Sequence, residues 1–218
     1  MTSQEDNLIN RLTLDRLMQY YYWITENLDP EIESTISSSQ LAKRLTLDDS
    51  QIRKDLAAIG VKGQRHVGFD IREVIDSIRQ VLGLTKSHPA VVLGAGRLGG
   101  AISSYKGFVN YGLNIAALFD NDPAKIGLMI GDHVVQPLDH LESIIQQSNV
   151  RLGVIAVPDH AAQESADRLV TAGIRVIWIF SPANLHLPEE IFVRHERLFV
   201  ALSQLFYHLN RHEKAQDI

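Results

Sequence analysis

Apolar positions recur near the helical period from Ile9 to Leu28, at Ile9, Leu12, Leu17, Tyr20, Ile24 and Leu28. Asp29-Pro30 ends that helix. Ser37-Ser38-Ser39 precedes a short helix, Gln40 to Leu45, with a serine cap, and Thr46 to Asp49 reads as a turn. A third helix spans Ser50 to Ile59 and stops at Gly60. Gly63 and Gly68 flank a hairpin-like stretch, Gln64 to Val67. A fourth helix, Ile71 to Leu82, carries apolar residues at Ile71, Val74, Ile75, Ile78 and Leu82. Thr85 to Pro89 then reads as a linker.

From Ala90 the pattern changes to strands alternating with helices. Strands are expected at Ala90–Leu93, Ile115–Phe119, Val134–Val135, Leu152–Val157, Ile174–Phe180 and Ile191–Val193, with Pro137 starting a helix and Ala161–Thr171 forming another. Such alternation predicts a parallel, doubly wound sheet. Leu198, Leu202, Leu205, Phe206 and Leu209 mark a terminal amphipathic helix.

The segment Val91 to Asp120 combines strand, glycine-rich turn, helix, strand and acid, the context of a dinucleotide site. Gly94 allows the tight turn, Gly96 lets the backbone approach a pyrophosphate, and Gly99 lets the helix pack on the sheet. Ala95, Arg97 and Leu98 complete the loop, and the helix N-terminus offers free N–H groups to phosphate. Asp120 stands where a carboxylate would bond both ribose hydroxyls and repel a 2′-phosphate, which favours NAD(H) over NADP(H). Val157 and Pro158, at the end of a later strand, line the nicotinamide crevice.

The first half suggests a winged helix-turn-helix whose third helix enters the DNA major groove. Ile52, Leu56 and Ile59 form its apolar edge. The opposite face centres on Ser50, Lys54 and Ala57, with Gln51 and Arg53 at its margins. Lys62, Arg65 and His66 lie on the candidate wing, where an arginine suits the narrow minor groove of A·T-rich DNA. Six basic and three acidic residues lie between Lys43 and Arg65, a local excess within a chain of net charge −5.

The 218 residues are enough for two small domains. The absence of cysteine excludes disulfides and thiolate chemistry. No membrane span or signal peptide is read in the sequence, MTSQEDNLIN at its start included, so the expected location is cytoplasmic. His133, His140 and His160 lack ligand spacing, and His208 and His212 share a helix face without a third ligand, so no metal site is expected.

Together these halves resemble the Rex family of redox-sensing bacterial transcriptional repressors. The resemblance rests on SSSQLA (Ser37 to Ala42), QIRKDL (Gln51 to Leu56), IGVKGQRHVGFD (Ile59 to Asp70), IRQVLGL (Ile78 to Leu84), GAGRLGGAI (Gly94 to Ile102), YKGF (Tyr105 to Phe108) and FDNDPAKIG (Phe119 to Gly127). It implies an α/β chain with an N-terminal winged-helix domain over 1–84, a Rossmann-like NAD(H)-binding domain over 85–195, and a dimerisation helix over 196–218 that swaps between subunits. It implies a homodimer that binds double-stranded, A·T-rich palindromic operators and is released by NADH. Ser39 and Gln40 join the candidate DNA contacts, Lys125 lies near the adenosine ribose, and Tyr105 falls on the first Rossmann helix as a switch residue.

This chain departs from the family pattern at several positions. Ala57-Ala58-Ile59-Gly60 follows the recognition helix in place of a Ser-Tyr-Phe-Gly-like segment, His66 stands where glycine is usual, and Phe69 where tyrosine is. Ile179-Phe180-Ser181-Pro182 replaces Asn-Phe-Ala-Pro. Arg197 stands where the family pattern has the acid that opens the terminal helix, and opposite Arg16 it would repel. Two other readings compete: a nucleotide- or CoA-binding regulator without redox response, and an NAD-dependent oxidoreductase using Asp159-His160. The chain has no separate substrate domain to support the latter.

Overall fold

Residues 9–216 are described by the computed structural model, with the side chains of Leu198 and of 212–216 excepted. Most of the N-terminal segment MTSQEDNLIN, and the side chain of His212, therefore lie outside the described residues. The chain divides into two units, Met1–Lys86 and Ser87–Ile218.

The first unit is built from α1 (Arg11–Asn27), β1 (Thr35–Ile36), α2 (Ser38–Leu45), α3 (Asp49–Ala58), β2 (Phe69–Asp70) and α4 (Ile71–Val81). Each of the last three helices starts on a side-chain cap. Ser37 and Gln40 form a capping box at α2. Asp48 accepts from the Ser50 and Gln51 amides at α3, and Asp70 from Glu73 N at α4. The turn expected at Thr46–Asp49 thus supplies the cap and first residue of α3. Leu17, Tyr20, Ile24, Leu41, Ile52, Leu56, Ile71, Val74 and Ile78 close one core. Each large apolar side chain buried there contributes on the order of 1.5–3 kcal/mol.

The wing is smaller than the expected hairpin. Gln64 and Gly68 pair through a single bridge, while the two-stranded sheet joins β1 to β2, with Ile36 opposite Phe69. Gly68 has φ +109, and a Cβ there would lie 2.5 Å from the Ile36 carbonyl oxygen. That close approach allows only glycine where the chain enters β2.

The second unit holds β3 (His88–Leu93), α5 (Arg97–Ser104), β4 (Leu113–Asp120), β5 (Met129–Ile130), β6 (His133–Pro137), α6 (Leu141–Gln147), β7 (Leu152–Ile155), α7 (Asp159–Thr171), β8 (Val176–Ile179), β9 (Phe192–His195) and α8 (Leu198–Gln216). Its seven-stranded sheet runs β5-β6-β4-β3-β7-β8-β9, parallel except for the β5–β6 edge pair. Leaving out β5, the order along the sheet is that of the dinucleotide-binding doubly wound fold. The order in which strands are added reverses between the parallel β3 and β7, and their carboxyl ends open a crevice there.

Several boundaries differ from the sequence reading. His88 and Pro89, expected in the linker, belong to β3, where His88 N donates to the Gly112 carbonyl. Pro137 ends β6, and a 3-10 turn over Leu138–His140 intervenes before α6. Strand β7 stops at Ile155, so Val157 lies in the loop beyond it. Strand β8 begins at Val176 and β9 covers Phe192–His195. The pairs β1, β2 and β5 each contain two residues and went unpredicted.

Candidate nucleotide and nucleic-acid sites

Strand β3 runs into Gly94, whose φ of +102 turns the chain sharply at the sheet edge. A Cβ on Gly94 would stand 2.6 Å from the Ala156 carbonyl oxygen, and one on Gly99 would stand 1.8 Å from the Gly94 carbonyl oxygen. Only glycine lets α5 pack this closely under its own loop. A Cβ on Gly96 meets nothing within 4 Å, so the backbone there faces open space. A cavity of about 560 Å³ lies in front of it, lined among others by Gly96, Arg97, Asp120, Lys125, Val157 and Pro158. Gly94 and Leu98 also border the cavity, whereas Ala95 and Gly99 are buried behind it.

Asp120, 7% exposed at the end of β4, is the electrostatic centre of this cavity. Its Oδ2 accepts from Ala95 N at 2.8 Å and from Lys125 Nζ at 3.0 Å, and its Oδ1 accepts from Asp122 N at 2.9 Å. Burial alone would raise its pKa. The Asp122 amide, Lys125 and the Ala95 amide outweigh burial and hold it below the usual carboxylate range. Three of the four acceptor positions of the carboxylate are thus occupied. The carboxylate expected to bond both ribose hydroxyls keeps one acceptor position, on Oδ1, unfilled within the chain.

Across the crevice, Pro158 caps α7 and His160 lines the cavity. Asp159 does not serve His160 as an orienting acid. It accepts from the Ser181 hydroxyl at 2.7 Å, which in turn accepts from Ala183 N. The proton-transfer pair that an oxidoreductase would need is therefore diverted into tying the Ser181 loop to α7.

Tyr105 lies just past the end of α5, not on it, with ψ 100, and is exposed. Its ring packs edge-on against Phe108 at 4.9 Å, Phe108 against Trp178 at 5.9 Å, and Trp178 donates to Glu196 Oε1 at 3.3 Å. Arg194 Nε also donates to that oxygen, at 3.0 Å. Next to Glu196, Arg197 is exposed and precedes α8, and burial together with its charge depresses the pKa of His195. On α8, Phe199, Leu202, Leu205, Phe206 and Leu209 are exposed.

In the first unit, Ser50, Lys54 and Ala57 share the exposed face of α3, and Ser39, Gln40, Lys62, Arg65 and His66 are exposed. Arg53 reaches back to Asp49 at 2.8 and 3.1 Å and to Ser38 Oγ at 3.2 Å. Gln51 is corrected from the DNA-facing margin: its Nε2 donates inward to Asp55 Oδ1 at 2.8 Å. Asp55 itself was missed. It is 2% exposed and receives Arg16 Nε at 2.6 Å and Nη2 at 2.8 Å, together with Tyr20 OH at 2.8 Å. Within its own unit, Arg16 is therefore neutralised by Asp55. The available signal was an aspartate beside Ile52 and Leu56 on the buried side of a helix. Among the described residues no group of three or more His, Asp or Glu could hold a metal ion, and no helix is long and apolar enough to cross a membrane.

A small winged-helix unit followed by a doubly wound, dinucleotide-type sheet defines a two-part nucleotide-linked DNA-binding architecture. The families described as "Putative DNA-binding protein N-terminus" and "CoA binding domain" match residues 9–57 and 85–183. The redox-sensing transcriptional repressor Rex of Carboxydothermus hydrogenoformans is 40% identical over 93% of this chain and 97% of its own. That of Roseiflexus sp. (strain RS-1) is 39% identical over 97% and 93%. The Rex-family repressor RSP is 32% identical and has been solved with β-NAD⁺ and operator DNA, at a TM-score of 0.88 covering 97% of each chain. Its complex with β-NADH superposes with a TM-score of 0.85, covering 97% and 99%. The chain belongs to the Rex family of redox-sensing transcriptional repressors.

Proposed function

We propose that this chain is a cytoplasmic repressor that binds an A·T-rich palindromic operator as a homodimer and releases it when NADH replaces NAD⁺. Residues 1–84 read the duplex, 85–195 hold the nucleotide, and 196–218 exchange between subunits. The observation that carries the reading is the buried Asp120 carboxylate, hydrogen-bonded to the glycine-rich loop at the open end of the sheet. Gly94, Gly96 and Gly99, with Ala95, Arg97 and Leu98, form the pyrophosphate cradle. Asp120 and Lys125 meet the adenosine ribose, and Val157 and Pro158 border the nicotinamide. The nicotinamide ring supplies the redox difference, while the protein's own groups orient it.

Ser50, Lys54, Lys62, Arg65 and His66 form the proposed DNA face, with Ser39 and Gln40 at the start of α2. Arg53 joins it only by leaving Asp49. Gln51 acts from behind, through Asp55. The apolar side chains that α8 exposes form a strip that one subunit leaves uncovered, and a second copy of the chain would cover it. Tyr105 and Arg197, at opposite ends of the row of rings and Glu196, are the proposed switch positions in this unit. Arg16 acts through Asp55.

The match of residues 85–183 to a CoA-binding family supports a second reading, an adenine-nucleotide regulator insensitive to redox state. Thermal shift with NADH, NADPH and acetyl-CoA separates the two. NADH stabilising most supports the first reading, and acetyl-CoA stabilising most overturns it.

A further inference from the structure

The four donors that converge on Asp55 do more than the core requires. Oδ1 takes Arg16 Nη2 and Gln51 Nε2, and Oδ2 takes Arg16 Nε and Tyr20 OH, so every acceptor position is filled. Arg16 also donates to Thr13 Oγ1 at 3.0 Å, and Thr13 N is capped by Asn10 Oδ1 at 3.0 Å. Thr13, Arg16 and Tyr20 lie on one face of α1, while Gln51 and Asp55 lie on one face of α3. A directional network therefore joins the two helices.

Apolar contacts alone would not fix α3 in one place. Ile52 and Leu56 tolerate a small rotation or slide, because dispersion and burial are non-directional. A carboxylate held by a bidentate guanidinium and two further donors does not. Lys54 is one residue, about 100° of helix, from Asp55, so whatever fixes the azimuth of Asp55 also fixes that of Lys54. Gln51, drawn inward, is withdrawn from the exposed face.

We propose that Asp55 is a positioning residue for DNA recognition: through Arg16, Tyr20 and Gln51 it locks the rotation of α3, and so the aim of Ser50, Lys54 and Ala57 at base edges, without touching DNA. This rests on the DNA-binding reading above. Burial by itself would raise the pKa of Asp55, but its hydrogen bonds from Arg16, Tyr20 and Gln51 keep it below the usual range, so the carboxylate is ionised as the network requires.

The test uses the full chain, a duplex selected from a random pool by the native protein, and a shuffled duplex of the same composition. Asp55→Asn keeps the shape and removes the charge. The ratio of affinities for the selected and shuffled duplexes should fall at least about tenfold. Shuffled-duplex and NADH affinities should stay within about twofold of native, because phosphate contacts need no fixed azimuth. Arg16→Lys, which retains charge but not the fork, should give an intermediate ratio. If Asp55→Asn fails to melt cooperatively, Arg16→Met/Asp55→Met replaces the pair with apolar side chains, a change that cores often accept. That variant should fold with the ratio lost. A folded variant that keeps the native ratio, or one that loses both duplexes in parallel, overturns the proposal. If the native protein yields no preferred duplex, the DNA-binding reading fails first.

Discussion

The Asp120 carboxylate accepts the Ala95 N–H at 2.8 Å, so the residue expected to read the ribose also buckles the glycine-rich loop. Substitution should therefore cost more than one ligand contact. Asp120→Ala should weaken NADH by at least about 1–3 kcal/mol, the range for one lost charged hydrogen bond. It should also narrow the preference for NADH over NADPH. Calorimetry with both nucleotides checks this, and equal affinities in the native protein would contradict the assignment.

Lys125, 3.0 Å from the same oxygen, offsets part of the carboxylate's charge at the place a 2′-phosphate would occupy. Lys125→Ala should widen discrimination against NADPH, as the uncompensated carboxylate repels it more strongly. Calorimetric ratios that narrow instead would show that Lys125 serves NADH binding more than it tempers Asp120.

Asp55 and Asp120 both have folded-state pKa values below the ordinary one, each despite burial, which pushes the other way. A depressed carboxylate contributes stability above its unfolded pKa, about 3.9, and loses it as pH falls through the folded value. Melting temperature should fall steeply below about pH 4. Asp55→Asn should start lower at pH 7 and fall less. Parallel acid limbs in native and variant would remove Asp55 from the acid response.

On the DNA face, Lys54→Ala should weaken binding to the selected duplex more than to the shuffled one, and its lost charge should reduce the slope of log affinity against log salt by up to about 1. Arg53→Ala should do less, because Arg53 is already paired with Asp49. Gel shifts across a salt series measure both, and an unchanged Lys54→Ala slope would move the contact elsewhere.

His66 sits at φ +64 on the wing, a left-handed conformation in which a non-glycine residue costs on the order of 1 kcal/mol. His66→Gly should raise or preserve stability, the lost strain offsetting the added chain entropy. A melting temperature well below native would mean that the imidazole makes a compensating contact.

The features legible in the sequence were those set by neighbours along the chain. Gly94, Gly96, Gly99 and Asp120 announced themselves because a strand, a tight turn and a helix must follow in that order. The apolar stripes of α1, α3 and α4 placed three helices within a few residues. Pairings between distant two-residue strands, such as Ile36 with Phe69, have no periodicity to read. Asp55 escaped because its partners, Arg16 and Tyr20, lie 39 and 35 residues away, and a charged residue on a helix reads as solvated until its partners are known. The placing of Tyr105 on α5 failed at a boundary, where the helix gives way to a 3-10 turn.

Arg197, exposed just before α8, cannot accept a hydrogen bond. An exposed pair made by Arg197 would contribute about 0–1 kcal/mol, whereas shifting a two-state equilibrium from 1:99 to 99:1 takes about 5.5 kcal/mol. The response should therefore rest mainly on the nucleotide cavity. Arg197→Asp should sharpen it by providing an acceptor for Tyr105, read as a larger NAD⁺-to-NADH ratio of DNA affinities. An unchanged ratio would place the switch elsewhere.

The most direct measurement is the affinity of the native protein for an A·T-rich palindromic duplex at saturating NAD⁺ and at saturating NADH, at one fixed salt concentration. Binding should be tight with NAD⁺ and at least about tenfold weaker with NADH, a difference of about 1.4 kcal/mol in differential affinity for the two states. Equal affinity under the two nucleotides, with both shown to be bound, would contradict the account.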